Sequence, residues 1–348
     1  MAGRDAVTEL VVLARDELAL CGVGPGQSVL VCSNPDSQVP LGDACLTAAQ
    51  LLGSDCAALV LPSVSAQQPG EGEVTRARRA ALPAQFARWT AQVDLLVDAT
   101  SKGLLHSTLQ QEILAAGTRI LRVREPADCL ARLFPLASVR KAVEQSAAVL
   151  EGTEDLVLTS DRGTEVHLSI GDRPVSLQFG YTDQPGRWDQ WGTGLIAAAP
   201  LEDSAEGTLV LWPGDIVFLS ATIGRYVTAP VTLSLRGGAI VAVEGGPERQ
   251  VVEDLLLRHA DPGARHTAHV GWGCDPRADW YALERYRGMG GGGADVRSVA
   301  GGVVLAFGAN EDLGGANRTT AHADLALQGV SVRADGVEAV RAGVLTLS

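Results

Sequence analysis

The chain has 348 residues, 46% hydrophobic and 20% charged, a composition that supplies a substantial core and excludes a disordered protein. Its net charge of −13 argues against a nucleic-acid-binding face, which needs a basic patch. No stretch approaches the roughly 20 apolar residues of a membrane span, so a soluble cytoplasmic protein with no membrane partner is expected.

The opening "MAGRDAVTELVVLARDELAL" has apolar residues at helical spacing broken by charges, and reads as an amphipathic helix rather than a signal peptide. Apolar strands follow at 28–33, 56–63, 93–100 and 118–123, separated by helical stretches such as "LGDACLTAAQLLG" and "TRARRAALPAQFARWTAQ". Short apolar strands alternating with helices predict an open α/β domain over 1–135, with a mostly parallel sheet. "GVGPGQSVLVCS" places its glycines before the strand; a dinucleotide fingerprint needs the strand first, so a tight turn is the better reading.

Residues 136–152, "LASVRKAVEQSAAVLEG", form a connecting helix. Beyond it, from 153 to 348, short alternating segments punctuated by Gly, Pro and Asp predict a β-rich (α+β) domain of antiparallel strands. One helix, "ERQVVEDLLLRHA", interrupts it. The six cysteines show no CxxC spacing and read as small buried hydrophobes.

Candidate chemistry centres on histidine. His259 reads as the end of a helix, His167 as a strand-surface residue and His266 as a neighbour of His269 without a role. His106, His269 and His322 remain. In "RTTAHADLALQG" a strand would aim His322 and Asp324 to one face. Those two residues alone read equally as a hydrogen-bonded pair or as part of a metal site. With His269 they would make two histidines and one carboxylate, a set that leaves positions open on iron(II).

The segments "DATSKGLLHS", "QPGRWDQWGTG", "HVGWGCDP" and "FGANEDLGGANRTTAHADLAL" resemble the 2,5-dihydroxypyridine 5,6-dioxygenase family, related to the two-metal aminopeptidases of the aminopeptidase T (M29) type. The aminopeptidases carry a glutamate where His269 precedes "VGWGCDP", and another in the region matching "WGTGLIAAAP", which here has none. Without those carboxylates the resemblance implies the dioxygenase branch, with His269, His322 and Asp324 as ligands of Fe(II). It implies ring opening of a small hydroxylated aromatic or N-heterocycle by O2, with His106 as base, while Arg297 in "GGGADVRSVAGG" reads either as orienting an anionic or carbonyl oxygen of the substrate or as a surface arginine. Trp188, Asp189, Gln190 and Trp191 would wall the pocket, Gln190 standing where the family has a histidine. Asp183 and Glu311 lie in matching segments, and Gly290–Gly293 reads as a mobile lid. A homo-oligomer is expected. A metallo-aminopeptidase and a different iron- and O2-dependent reaction are the alternatives.

Overall fold

The computed structural model describes residues 2–37, 40–62, 85–101, 108–257, 261–319 and 321–347. Helix α1 (Ala2–Leu20) buries Leu10, Ala14 and Leu18, four residues apart on one face. There follow β1 (Ser28–Ser33), α2 (Leu41–Leu51), β2 (Asp55–Val60), α3 (Phe86–Thr90), β3 (Leu95–Asp98), α4 (Thr108–Ala115), β4 (Arg119–Arg122) and α5 (Ala127–Arg132). The strands pair in parallel in the order β2-β1-β3-β4. Every residue of β3 and β4 is buried, which explains their lack of apolar–polar alternation. The helix expected over 75–92 is seen as α3; positions 75–84 lie outside the described residues.

Helix α6 (Ala137–Leu150) turns Val139, Val143, Ala147 and Leu150 into the next core. That core lies between two antiparallel sheets. Their strands are β5 (Leu156–Thr159), β6 (Glu165–Leu168), β7 (Val175–Gln178), β9 (Leu195–Ala198), β10 (Glu206–Leu211), β11 (Ile216–Ser220), β12 (Ile223–Tyr226), β13 (Val231–Arg236) and β14 (Ala239–Gly245), while β8 (Trp188–Gln190), between β7 and β9 in the chain, belongs to neither. After helix α7 (Glu248–Leu257) come β15 (Thr267–Gly273), β16 (Val303–Gly308), β17 (His322–Leu327), β18 (Ser331–Ala334), β19 (Val337–Arg341) and β20 (Val344–Leu345). Helices α8 (Ala282–Arg285) and α9 (Gly293–Ser298) separate β15 from β16. One sheet runs β14-β13-β10-β6-β5-β18-β19-β20 and the other β12-β11-β17-β16-β15-β9-β7. Leu156, Leu158, Val270, Trp272, Leu305 and Leu325 meet in the shared core. Full burial of each such side chain contributes about 1.5–3 kcal/mol or more. The indole N–H of Trp272 donates to Ser146 Oγ at 3.1 Å, so α6 is packed into this core and is more than a connector.

The expected division at residue 135 is not clean. Strand β8, 188–190, leaves the C-terminal sheets and pairs in parallel with β4, becoming the fifth strand of the N-terminal sheet. A three-residue strand flanked by tryptophans carries no periodicity by which a sequence could assign it to either sheet. The described cysteines are all free and, Cys56 apart, buried. Among the described residues no helix is long and apolar enough to cross a membrane.

Candidate active site

Strand alternation builds the site. On β17, Ala323, Leu325 and Leu327 enter the core between the sheets, which leaves His322 and Asp324 on the opposite face. On β15, Val270 and Trp272 enter that core, leaving His269 on the same opposite face. The ladder aligns His269 with Ala306 of β16, and Ala306 with Asp324. His269 and Asp324 therefore stand two strands apart, about 10 Å between backbones, over a side chain no larger than a methyl group. A register shift between Thr267 and His269 lies just before the histidine, the kind of bulge that re-aims a side chain.

The three side chains converge. Asp324 Oδ1 lies 3.3 Å from His269 Nε2 and 3.1 Å from His322 Nε2. One ligand atom from each residue falls within 4.8 Å of the others. Donors about 2.1 Å from one ion at right angles stand about 3 Å apart, so these separations fit a shared metal. The His322 ring places Nδ1 at 3.3 Å from Ala309 O; an N–H there donates to the carbonyl and leaves Nε2 for a metal. Burial pushes the Asp324 carboxyl up, but Arg297 and the two imidazoles outweigh it and hold it well below the usual carboxylate range. The carboxylate is thus charged. Two imidazoles and one buried carboxylate form a donor set suited to a single transition-metal ion.

Arg297 meets this carboxylate from behind. Its Nε and one terminal nitrogen reach Asp324 Oδ2 at 2.6 and 2.5 Å. The other terminal nitrogen donates to Ala221 O at 3.3 Å and Gly293 O at 3.0 Å. The guanidinium lies 3.8 Å from the centroid of the Phe218 ring. Arg297 belongs to α9, whose start is clamped by the buried Glu125 accepting from Gly292 N and Ala294 N. Burial pushes the Glu125 carboxyl up, against the lowering by Arg124 and those two N–H groups.

In the glycine run expected to be a mobile lid, positions 291–293 are buried and packed in place, and Gly290 alone is exposed. Gly292 has φ +89°, and a Cβ there would meet Ala282 O at 2.6 Å. A Cβ on Gly293 would lie 1.8 Å from Ala221 O, so the absence of side chains brings α9 against the β11–β12 turn.

Beside Arg297's acceptor Ala221 lies a cavity of about 190 Å³. Thr100, Ser101 and Arg124, which follow β3 and β4, line one side; Ser220, Ala221, Thr222, Met289 and Gly290 line the other. It sits at the carboxyl ends of the parallel strands, where open α/β sheets bind ligands. Behind it, the buried Asp98 carboxylate pairs with Arg122 at 3.1 Å. These residues were missed in the sequence. The signal was there: "DATS" and "RVRE" place polar side chains immediately after parallel strands.

The other expected residues divide. Asp189 is fully buried and accepts from Phe179 N, Gly180 N and Gln190 N at 3.1, 3.2 and 2.7 Å, with Arg187 at 2.6 Å. Trp191 is buried in the core under the parallel sheet, and Trp188 packs partly buried against its other side. Asp189 and Trp191 are thus packed into the protein as "GRWDQW" enters a sheet, and neither is among the residues that line the cavity beside Ala221. Gln190, half-buried, ends β8 level with Arg122. Arg297, expected to meet substrate, is committed to protein acceptors. His106 and His259 lie outside the described residues, while His167 is exposed beside Asp155 and Glu165. Asp183 pairs with Arg140 and Glu311 with Arg318.

Comparison with known proteins covers almost the whole chain. The family 2,5-dihydroxypyridine 5,6-dioxygenase matches residues 9–347. The protein of that name from Pseudomonas putida is 34% identical over 340 residues, 96% of this chain and 95% of its own. The solved structure of a 2,5-dihydroxypyridine dioxygenase from P. putida KT2440 superposes with a TM-score of 0.90 at 32% identity, covering 98% of each chain. AmpT from Thermus thermophilus superposes with a TM-score of 0.63 at 15% identity, over 97% of this chain and 98% of its own, a likeness of fold.

Proposed function

Because the chain belongs to the 2,5-dihydroxypyridine 5,6-dioxygenase family, we propose that it opens a small hydroxylated N-heterocycle or aromatic ring with O2 at one iron(II). The observation that carries the reading is the convergence of His269, His322 and Asp324 on one point. Iron(II) held there would supply the one-electron chemistry that lets dioxygen react with a closed-shell ring. The cavity beside Ala221 is of a size for a single ring, and the hydroxyls of Thr100, Ser101, Ser220 and Thr222 can hydrogen-bond its substituents. His106, five positions after the cavity-lining Ser101, is our candidate for the base that takes the ring hydroxyl's proton. Trp191 and the apolar core beneath hold the sheet whose ends form that wall. Gln190 can present an amide where the family's histidine would stand, which favours a ring substituent different from that of the P. putida enzyme's substrate.

Metal content and oxygen uptake test this. We expect one iron per chain, lost in His322→Ala with the fold retained by circular dichroism, and oxygen uptake on adding 2,5-dihydroxypyridine or a substituted analogue. Two zinc or cobalt ions per chain with hydrolysis of a leucyl chromogenic amide would overturn it in favour of an aminopeptidase. Bound iron with no uptake on any dihydroxypyridine would point to a different iron- and O2-dependent reaction.

A further inference from the structure

We infer that Arg297 is a positioning residue that restricts Asp324 to binding metal through Oδ1 alone, keeping a coordination position open for the reactants. This rests on the metal reading above. A carboxylate has two oxygens, and both can bind one ion when both are free to do so. Here they are divided. Oδ1 faces the two Nε2 atoms at 3.3 and 3.1 Å, and Arg297 reaches only Oδ2. Oδ2 accepts a charge-assisted hydrogen bond from Arg297 Nε and has a terminal nitrogen of the same guanidinium in ion-pair contact.

Arg297 cannot swing away to release Oδ2. Its remaining terminal nitrogen is tied to Ala221 O and Gly293 O, and the Phe218 ring backs its plane. Its helix is fixed at the start by Glu125 and farther along by Asp295, which pairs with Arg132. The anchor thus reaches from the loop after β4 to the ligand. A second consequence is electrostatic. One carboxylate and one guanidinium cancel, and the imidazoles are neutral when they ligate, so the ion's full charge remains to bind an ionised ring hydroxyl.

Cobalt(II), whose visible spectrum reports its coordination, is the probe. We expect Arg297→Met to fold and to bind cobalt with a changed spectrum, as Oδ2 joins the metal and displaces one bound water. Arg297→Lys, which keeps a cation near Oδ2, should restore the wild-type spectrum at least in part. Spectra of wild type, Arg297→Met and Arg297→Lys that coincide would overturn the inference. A crystal structure of the cobalt-loaded wild type gives a reading independent of whether the variants fold: Asp324 bound through both oxygens overturns it, and Oδ1 alone bears it out. Failure of the wild type to take up cobalt or iron would instead overturn the metal reading on which the inference stands.

Discussion

Asp189 illustrates how one side chain's environment decides its role. Burial pushes its carboxyl up despite Arg187 and three backbone N–H donors, and its oxygens face inward with no solvent contact. Asp189→Ala removes the acceptor of Phe179 N, Gly180 N and Gln190 N and the counter-charge of Arg187, which keeps Tyr181 O and Leu177 O. We expect it to lose about 3 kcal/mol of stability, measured by denaturant unfolding, while the folded fraction keeps its metal. At this scale strand alternation put His322 and Asp324 on one face, while it was the family resemblance that added His269 and made the three a ligand set. The sequence was not legible for Asp189 or Arg297. A carboxylate beside two tryptophans looks the same whether it lines a pocket or caps buried amides, and an arginine's partner is set by long-range packing.

Strands β15, β16 and β17 act as one element, with Ala306 as the floor between His269 and Asp324. Ala306→Val puts two methyl groups on that floor while retaining a good strand former. We expect the variant to keep its secondary structure and lose most of its bound iron, with metal per chain measured beside circular dichroism. A variant that holds one iron as tightly as wild type would show that the ion sits away from this floor. The individual strands were readable from their alternation or apolar runs. Their neighbours were not, since β9 pairs with β15 across seventy residues and nothing local records it. The shift before His269 is equally silent, because one extra residue in a strand leaves no compositional mark.

Across the whole molecule, the parallel sheet, the connecting helix and the antiparallel sheets follow from pattern, whereas the crossing of β8 does not. Another buried feature has a pH signature. Glu17 on α1 is wholly buried, its carboxyl oxygens have no hydrogen-bond partner among the described residues, and burial, with the charge of Asp189, pushes it well above the ordinary 4.5. The folded state therefore binds a proton that the unfolded state has released above that value, and stability falls as pH rises from there toward the folded value. Glu17→Gln removes this dependence. We expect its melting temperature to exceed that of the wild type at pH 8 and to approach it near pH 4, by thermal denaturation across that range.

The borrowed strand also bears on how the chain is made. β4 has β3 on one flank, but its other flank waits for 188–190. The 65 residues between Arg122 and Trp188 take about 3–13 s to synthesise. For that time the nascent N-terminal unit carries an open sheet edge, the feature through which chains pair with one another. A ribosome that stalls within this stretch releases a sticky fragment. The boundary at 135 that looks natural for cutting the gene is, for the same reason, a poor place to end an expressed domain.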